Sequence, residues 1–451
     1  MTPTVVGARQ MPPGTPEVPV AIVGAGACGL TAALMLRDAG IACVLLERDA
    51  IAQGSTALSS GFIPAAGTRV QRESGVTNDS AGLFAEDIQA KAHGTAAPHL
   101  VAAYTGGIAP ALDALQSRHG LAFELLAGFL YPGHSVLRMH TLPQRTGAAL
   151  VTALDAAAVR AGAMLMTDAR VFELWADDTG RVIGVGYRRP DGAVERLACR
   201  ALLLACNGFG GNPAMVRELL PEMRDAMYAG HMGNDGSAIA WGRQLGARLA
   251  DLGGYQGHGS WAVPQGALIS WALMMEGGVQ VNAEGMRFHD ETDGYSEASV
   301  RVLAQPGGVA WNLLDPRLLT LGRTFPDFLA AEAAGAVRHA ADAQALAALI
   351  GCDAATLAAK LADTRLRAPY AAIKVTGALF HTQGGLDIDA QCRVLRDDGT
   401  PFPGLFAAGG AARGVSGNAV WGYLSGNGLL SAVAGGYIAA RSAAAQIGGH
   451  A

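Results

Sequence analysis

This chain of 451 residues predicts an α/β fold, a largely parallel sheet flanked by helices, with a second lobe spliced in late in the sequence. Three observations predict it. A complete strand–helix–strand–acid unit occupies Val20 to Arg48. Glycine-rich segments recur at the ends of two later apolar strands, after Cys206 and after Ala408. Between about Leu252 and Leu379 the pattern changes to scattered Trp, Met and Gly, then to Ala-rich helices.

The first unit reads VAIVGAGACGLTAALMLRDAGIACVLLER. Val20 to Val23 has the composition of a strand buried on both faces. Gly24, Gly26 and Gly29 follow in G-x-G-x-x-G spacing, a helix runs to Ala39, and Gly40 stops it. A second strand, Ile41 to Leu46, ends on Glu47, 18 residues beyond Gly29. The three glycines suit a tight turn, close approach of backbone to a pyrophosphate, and close helix–strand packing. The helix N-terminus offers N–H groups and partial positive charge to phosphates. Glu47 can accept ribose hydroxyls and repels a 2′-phosphate, which disfavours NADP.

Half of the residues are hydrophobic and 16% are charged, with a formal net charge of −5. A large core is expected, and no basic face suits a nucleic-acid partner. The six cysteines (Cys28, Cys43, Cys199, Cys206, Cys352, Cys392) make no C-x-x-C and no metal spacing. Buried thiols in a reducing cytoplasm, and no metal site, are the expectation. No run of 18 apolar residues occurs, so no membrane segment is expected. Residues 1–17 carry Pro3, Pro12, Pro13 and Pro16, lack the pattern of a signal peptide, and read as a loose leader.

After Arg48, Gly54 to Thr68 crowds Ser, Thr and Gly without periodicity. Such a loop can wrap a cofactor with N–H and hydroxyl donors or simply lie on the surface. Residues 80–120 read as Ala-rich helix. Arg138, His140 and Arg145 can bind an anion, although facing solvent is the simpler expectation. A helix follows from Thr146 to Ala161. Met164 to Gly186 has hairpin alternation around the Asp178-Thr179-Gly180 turn. Arg200 to Cys206 is another buried strand, ending in CNGFGGN, where open α/β sheets bind ligands. The inserted lobe holds helices at Ala343 to Ile350 and Ala354 to Leu366. The last strand runs into Gly409-Gly410, and a helix from about Asn427 to Ala445 closes the chain. Nucleotide-binding features at the start, middle and end suit FAD, held along its length, better than NAD.

Together VGAGACGLTAALMLRDAG, STALSSGF, LLLACNGFGGNP, VQVNAEGMRFHDE and GLFAAGGAARGVSG resemble the fumarate reductase/succinate dehydrogenase flavoprotein superfamily, which includes the 3-ketosteroid Δ1-dehydrogenases and related desaturases. The resemblance covers Val20 to about Ala440. It implies a Rossmann-type FAD-binding domain (18–251 and 380–451) with an inserted α+β capping domain for substrate (252–379). It implies FAD contacts at Gly24, Gly26, Ala27, Gly29, Glu47, Arg48, Ser55, Thr56, Ala57, Ser59, Ser60, Gly61, Val171, Asn207, Gly208, Gly409, Asn427 and Leu429. Some relatives attach FAD through a histidine in the first Ser/Thr loop; Gly54 to Gly61 holds none, so FAD is expected to be non-covalent. The final helix is expected to aim its N-terminus, near Asn427 to Leu429, at the flavin's pyrimidine edge.

The catalytic positions carry over one at a time. Gln256-Gly257-His258 falls on the family's Gln-x-His substrate segment, and His381, in LFHTQGG, on its second substrate histidine. Both imidazoles can donate to a substrate oxygen. Tyr295 stands four residues after Glu291, where fumarate reductases carry a proton-delivering arginine and ketosteroid dehydrogenases their catalytic base. Arginine keeps its proton, whereas a phenol can lose one with help. Val420 stands where fumarate reductases clamp a carboxylate with arginine, and no cation follows Arg413 in GVSGNAVWGYLSGNG. Their proton-feeding partners fall on Ser270 and Leu273. A dicarboxylate such as fumarate is thus poorly neutralised. The ketosteroid pattern departs as well, because its polarising tyrosine also falls near Val420, with Trp421 or Tyr423 as substitutes only if the loop is shifted.

The expectation is an FAD-dependent dehydrogenase (a desaturase) forming a C=C bond beside a carbonyl or carboxylate of a small oxo compound or acid, cyclic ones included. Tyr295 takes the proton, His381, His258 and N–H groups of Gly422 to Gly426 polarise the oxygen, and flavin N5 takes the hydride. The alternatives are an enoate reductase running the reverse reaction and a flavoprotein subunit of a larger electron-transfer complex. The acceptor (oxygen, quinone or a carrier) is left open.

Overall fold

The computed structural model describes residues 2–448. They form two compact units: Met1–Leu219, Gly230–Gly254 and His381–Ala451 in the first, and Leu220–Ala229 with Tyr255–Phe380 in the second.

The first unit is built on a nine-stranded sheet. At its centre lie three adjacent parallel strands: Glu17–Val23, Val194–Leu204 and Pro401–Ala407. Leu204 pairs with Val23 on one side and with Ala407 on the other, so these strands end level. Cys43–Leu46 and then Met164–Met166 continue the parallel array beyond Glu17–Val23. Val20 to Ile22 and Ala201 to Leu204 are buried on both pleat faces, as their unbroken apolar runs require. Helix Ala27–Asp38 packs on the final helix, Asn427–Gly448. The packing is close because Gly436 has no side chain; a Cβ there would lie 2.4 Å from the Cys28 carbonyl. The expected hairpin forms between Arg170–Ala176 and Val182–Arg188, whereas Met164–Met166 joins the parallel array instead.

Two expectations are corrected here. Residues 1–17 are not a loose leader throughout, because Thr4–Gly7 is a strand paired in parallel with Glu173 to Ala176. Gln244 clamps it, donating to the Pro3 carbonyl and accepting the Val5 N–H. Arg138 and His140 do not face solvent; both are buried. Arg138 pairs with Asp79 and Asp87, and His140 bonds Thr68 at 2.7 Å. The partners come from a segment some 50 to 60 positions earlier, too distant for local charge patterning to reveal.

The second unit is a seven-stranded sheet in which Tyr370–Thr382 pairs antiparallel with Val309–Leu314. The Trp-, Met- and Gly-bearing stretch supplies its strand Tyr255–Ala262. Helix Tyr295–Leu303 lies directly on that strand. A Cβ at Gly257 would lie 2.0 Å from Ser299 Oγ, and one at Gly259 2.7 Å from the Ala298 Cβ. The glycines on either side of His258 are thus the seat of the helix that carries Tyr295. Among the described residues no helix is long and apolar enough to cross a membrane.

Candidate active site

The three level strand ends bring the three glycine segments together. A Cβ on Gly24 (φ 105°) would sit 2.6 Å from the Ala205 carbonyl oxygen, and one on Gly29 2.0 Å from that of Gly24. At Gly208 it would meet Thr382 Oγ1 at 1.9 Å, and at Gly410 Asn207 Oδ1 at 2.0 Å. Gly409 (φ 60°) abuts Cys28 in the first turn of helix Ala27–Asp38. That helix has Gly26 as its N-cap with no side-chain cap, so its leading N–H groups depend on outside partners. One partner is internal: Thr56 Oγ1 accepts from Ala27 at 3.0 Å.

This bond draws the Ser/Thr loop onto the glycine turn, and the loop is braced from behind. Ser59 Oγ donates to the Thr56 carbonyl and accepts the Gly61 N–H, while the Ser59 carbonyl accepts from Gly147. Ala57 and Ser60 lie half-buried beside it. Glu47 is buried, and its oxygens accept the Ala25 N–H at 2.8 Å and the Asp49 N–H at 3.0 Å. Burial pushes its carboxyl upward, with those N–H groups opposing. Its backbone carbonyl accepts from Ala169, two residues before Val171, which places Val171 at the Glu47 end of the sheet. Two of the expected contact residues also have protein partners. Arg48 donates to the Gly233 carbonyl and Asp235, and Ser55 Oγ accepts from Asn234 Nδ2 at 2.8 Å. Both hold the 231–235 turn to this end of the sheet. A cradle with no room for side chains, a helix N-terminus and a buried acid one strand away fit an adenine dinucleotide's pyrophosphate and ribose.

At the far end of the cradle are His381, Asn427 and Leu429. Asn427 is buried and Leu429 half-buried in the first turn of the final helix, and Tyr423 OH accepts weakly from Gly428 N–H at 3.5 Å. His381 Nδ1 lies 2.7 Å from Gln383 Nε2. Burial lowers the His381 pKa to about 4, so the ring is neutral. Arg413, the last cation before the final loop, is tied to Asp251 at 2.6 Å and Asp387 at 3.4 Å.

In the second unit His258 stacks on Tyr295 with ring centroids 4.8 Å apart and planes 20° from parallel. Trp271 meets the imidazole edge-on at 5.9 Å, and Phe380 lies 5.5 Å away. His258 Nδ1 accepts the Ser260 N–H at 3.1 Å, leaving Nε2 as the protonated nitrogen. This ring is neutral too, its pKa lowered to about 3 by burial. Tyr295 is buried at the first position of its helix, where the helix dipole favours negative charge. Glu291, four residues before it, accepts the Gln280 N–H and pairs with Arg287, while Leu273 is buried apolar filling. Sequence reasoning missed Trp271, Gln383 and the seat made by Gly257 and Gly259. The Gly-His-Gly triplet was the one visible signal for the last.

The FAD binding domain family matches residues 19–429. The chain is 27% identical over 455 residues to an NADH:fumarate oxidoreductase of Klebsiella pneumoniae. That match takes in 95% of this chain and 48% of the relative, so the chain spans about half of that protein's length. It is 25% identical over 565 residues to a 4-oxocyclohexanecarboxylate 2-dehydrogenase of Sinomonas cyclohexanicum, covering 97% of this chain and 95% of the other. A solved structure of 3-ketosteroid Δ4-(5α)-dehydrogenase from Rhodococcus jostii RHA1, in complex with 4-androstene-3,17-dione, matches with a TM-score of 0.78 and 25% identity, over 98% of this chain and all of that one. With a match running nearly end to end and a cradle of the matching chemistry, the chain belongs to the FAD binding domain family, among fumarate reductase and ketosteroid dehydrogenase relatives, and its cofactor is FAD.

Proposed function

We propose that this protein is a dehydrogenase forming a C=C bond beside the carbonyl or carboxylate of a small oxo compound or acid, cyclic substrates included. The observation that carries this reading is His258 stacked on buried Tyr295, a donor and a phenol side by side, at the position where the sequence resemblance implies an arginine in fumarate reductases. Bound FAD, held non-covalently, supplies the two-electron acceptor for the departing hydride. The chain's own residues do the rest. The Nε2–H of His258 in its unit, and that of His381 in its own, are each candidate donors to a substrate oxygen, able to stabilise charge that develops on it. That acidifies the neighbouring C–H, whose proton passes to Tyr295 in its phenolate form, the phenol having first lost its own proton to solvent with the helix N-terminus favouring the anion. With Arg413 held by two aspartates, the final loop favours a neutral carbonyl over a second carboxylate. The Sinomonas relative, named for a cyclic oxo acid, supports the substrate class.

Replacing Tyr295 by Phe should leave FAD bound while slowing anaerobic flavin bleaching by about 10² to 10⁴-fold, the usual worth of a positioned base. Bleaching at the parental rate would sink Tyr295 as the base. A panel of cyclic ketones, short acids and their unsaturated partners sets the substrate and the direction. Reoxidation by unsaturated acids alone would favour enoate reduction, a reading that the Klebsiella relative's name supports. The same reading places the protein in the cytoplasm, where its six free thiols stay reduced.

A further inference from the structure

His381 is oriented by a chain of side chains whose direction can be worked out from its far end. Its Nδ1 lies 2.7 Å from Gln383 Nε2; Gln383 Oε1 is 3.0 Å from Ser416 Oγ; Ser416 Oγ is 3.0 Å from Asn427 Nδ2. Gln383, Ser416 and Asn427 are all buried; among the described residues Asn427 Oδ1 has no protein partner, and the remaining polar atoms of the chain face one another and must match donor to acceptor. Asn427 Nδ2 also lies 3.5 Å from the Val415 carbonyl oxygen. A carbonyl only accepts, so the Asn427 atom facing it is the nitrogen. That nitrogen gives its second hydrogen to Ser416 Oγ. Ser416 must then send its own hydrogen to Gln383, whose facing atom is therefore the oxygen. The Gln383 nitrogen is left facing the ring, and Nδ1 can only accept.

We infer that Gln383 is a positioning residue that locks neutral His381 in its Nε2–H tautomer and so makes the ring a donor toward the substrate oxygen. The effect on rate rests on the function proposed above; the tautomer does not. Burial keeps the ring uncharged at ordinary pH, so the tautomer decides whether Nε2 donates or accepts. Among the described residues Nε2 has no protein hydrogen-bond partner. Gly410 leaves it uncovered, since a Cβ there would come within 3.0 Å of that nitrogen. A ring protonated on Nδ1 would turn a lone pair toward the substrate oxygen and oppose the developing charge. Because Asn427 opens the final helix, the same chain ties the ring to that helix's N-terminus.

The test uses FAD-loaded protein with ¹⁵N-labelled histidine, and His381→Asn to assign the ring signals. The parent should show His381 with Nδ1 unprotonated and Nε2 protonated between pH 6 and 8. Gln383→Glu offers only an acceptor at this position and should move a proton onto Nδ1. Gln383→Met removes the donor at similar volume; the two tautomers should mix and kcat should fall about tenfold, the worth of roughly one hydrogen bond. If Gln383→Met loses FAD, Ser416→Ala takes its place, because it frees the Gln383 amide to flip and should mix the tautomers. A protonated Nδ1 in the parent, or an unchanged tautomer in FAD-loaded Gln383→Met and Ser416→Ala, would overturn the inference. The expected tautomer together with a fully active His381→Asn would instead overturn the role of His381 in the proposed function and leave the lock standing.

Discussion

In the second unit His258 receives its orienting hydrogen bond from the main chain, at Ser260; in the first, His381 receives its own from a side chain, at Gln383. Both rings are neutral and both present Nε2–H, yet the two devices differ in kind. A strand N–H is set by the ladder and survives any substitution except proline. Its ring is then steadied by aromatic walls, Tyr295 on its face and Trp271 at its edge. The His381 relay is made of amides and a hydroxyl, each of which can be removed or reversed by one mutation. The same tautomer is therefore robust in one unit and adjustable in the other.

After loss of the Tyr295 hydroxyl itself, the largest expected effect comes from removing the seat under Tyr295. Gly257→Val would place its Cβ 2.0 Å from Ser299 Oγ and lift helix Tyr295–Leu303. An error of about 1 Å at the base can cost about 10²-fold, so turnover should collapse. FAD absorbance should persist because the glycine cradle belongs to the other unit. Parental turnover in this variant would break the view that His258 and Tyr295 work as a stacked pair.

Acid unfolding gives a smaller effect and sharpens the comparison. His134, His140 and His381 are pushed by burial to about 4 and His258 to about 3, below the ordinary 6.5. Between about pH 6.5 and 4 the unfolded chain therefore binds more protons than the folded one, and stability falls as pH falls. Each histidine adds a slope approaching about 1.4 kcal/mol per pH unit. Denaturant titrations of His258→Phe and His381→Asn should each lose about one histidine's share. An unchanged slope in either would mean that its ring is charged in the fold.

The smallest effect is expected from Ser260→Ala. Its buried hydroxyl accepts from Asn312 Nδ2 at 2.9 Å and Gln280 Nε2 at 3.3 Å, so removing it should cost about 1–3 kcal/mol of stability. The Ser260 N–H remains, so the His258 ring signals should not change. A mixed His258 tautomer in this variant would erase the distinction between the two devices.

Much of the cofactor half was legible because its signals are local. Gly24, Gly26, Gly29, Glu47 and the strands around them fall within one short stretch, where period, turn chemistry and spacing reinforce one another. Arg138 was misjudged for the opposite reason: Asp79 and Asp87 neutralise it from another helix and loop, and local spacing carries no trace of that pairing. Thr4–Gly7 was misjudged because the prolines around it, Pro3 and Pro12 to Pro16, mask two valines whose pairing partner lies beyond residue 170.

By itself the sequence determined that a nucleotide cradle would form, where its glycines would fall, and which histidines and which phenol deserved attention. Those are properties of residue type and short-range order. Only the tertiary structure decided that Arg48 and Arg413 have acidic or carbonyl partners within the protein, that two glycines seat the helix bearing Tyr295, and that an amide chain reaches His381 Nδ1. Such facts depend on which atoms end up within about 3 Å of one another, and hydrogen-bond direction is settled by partners that can lie anywhere along the chain.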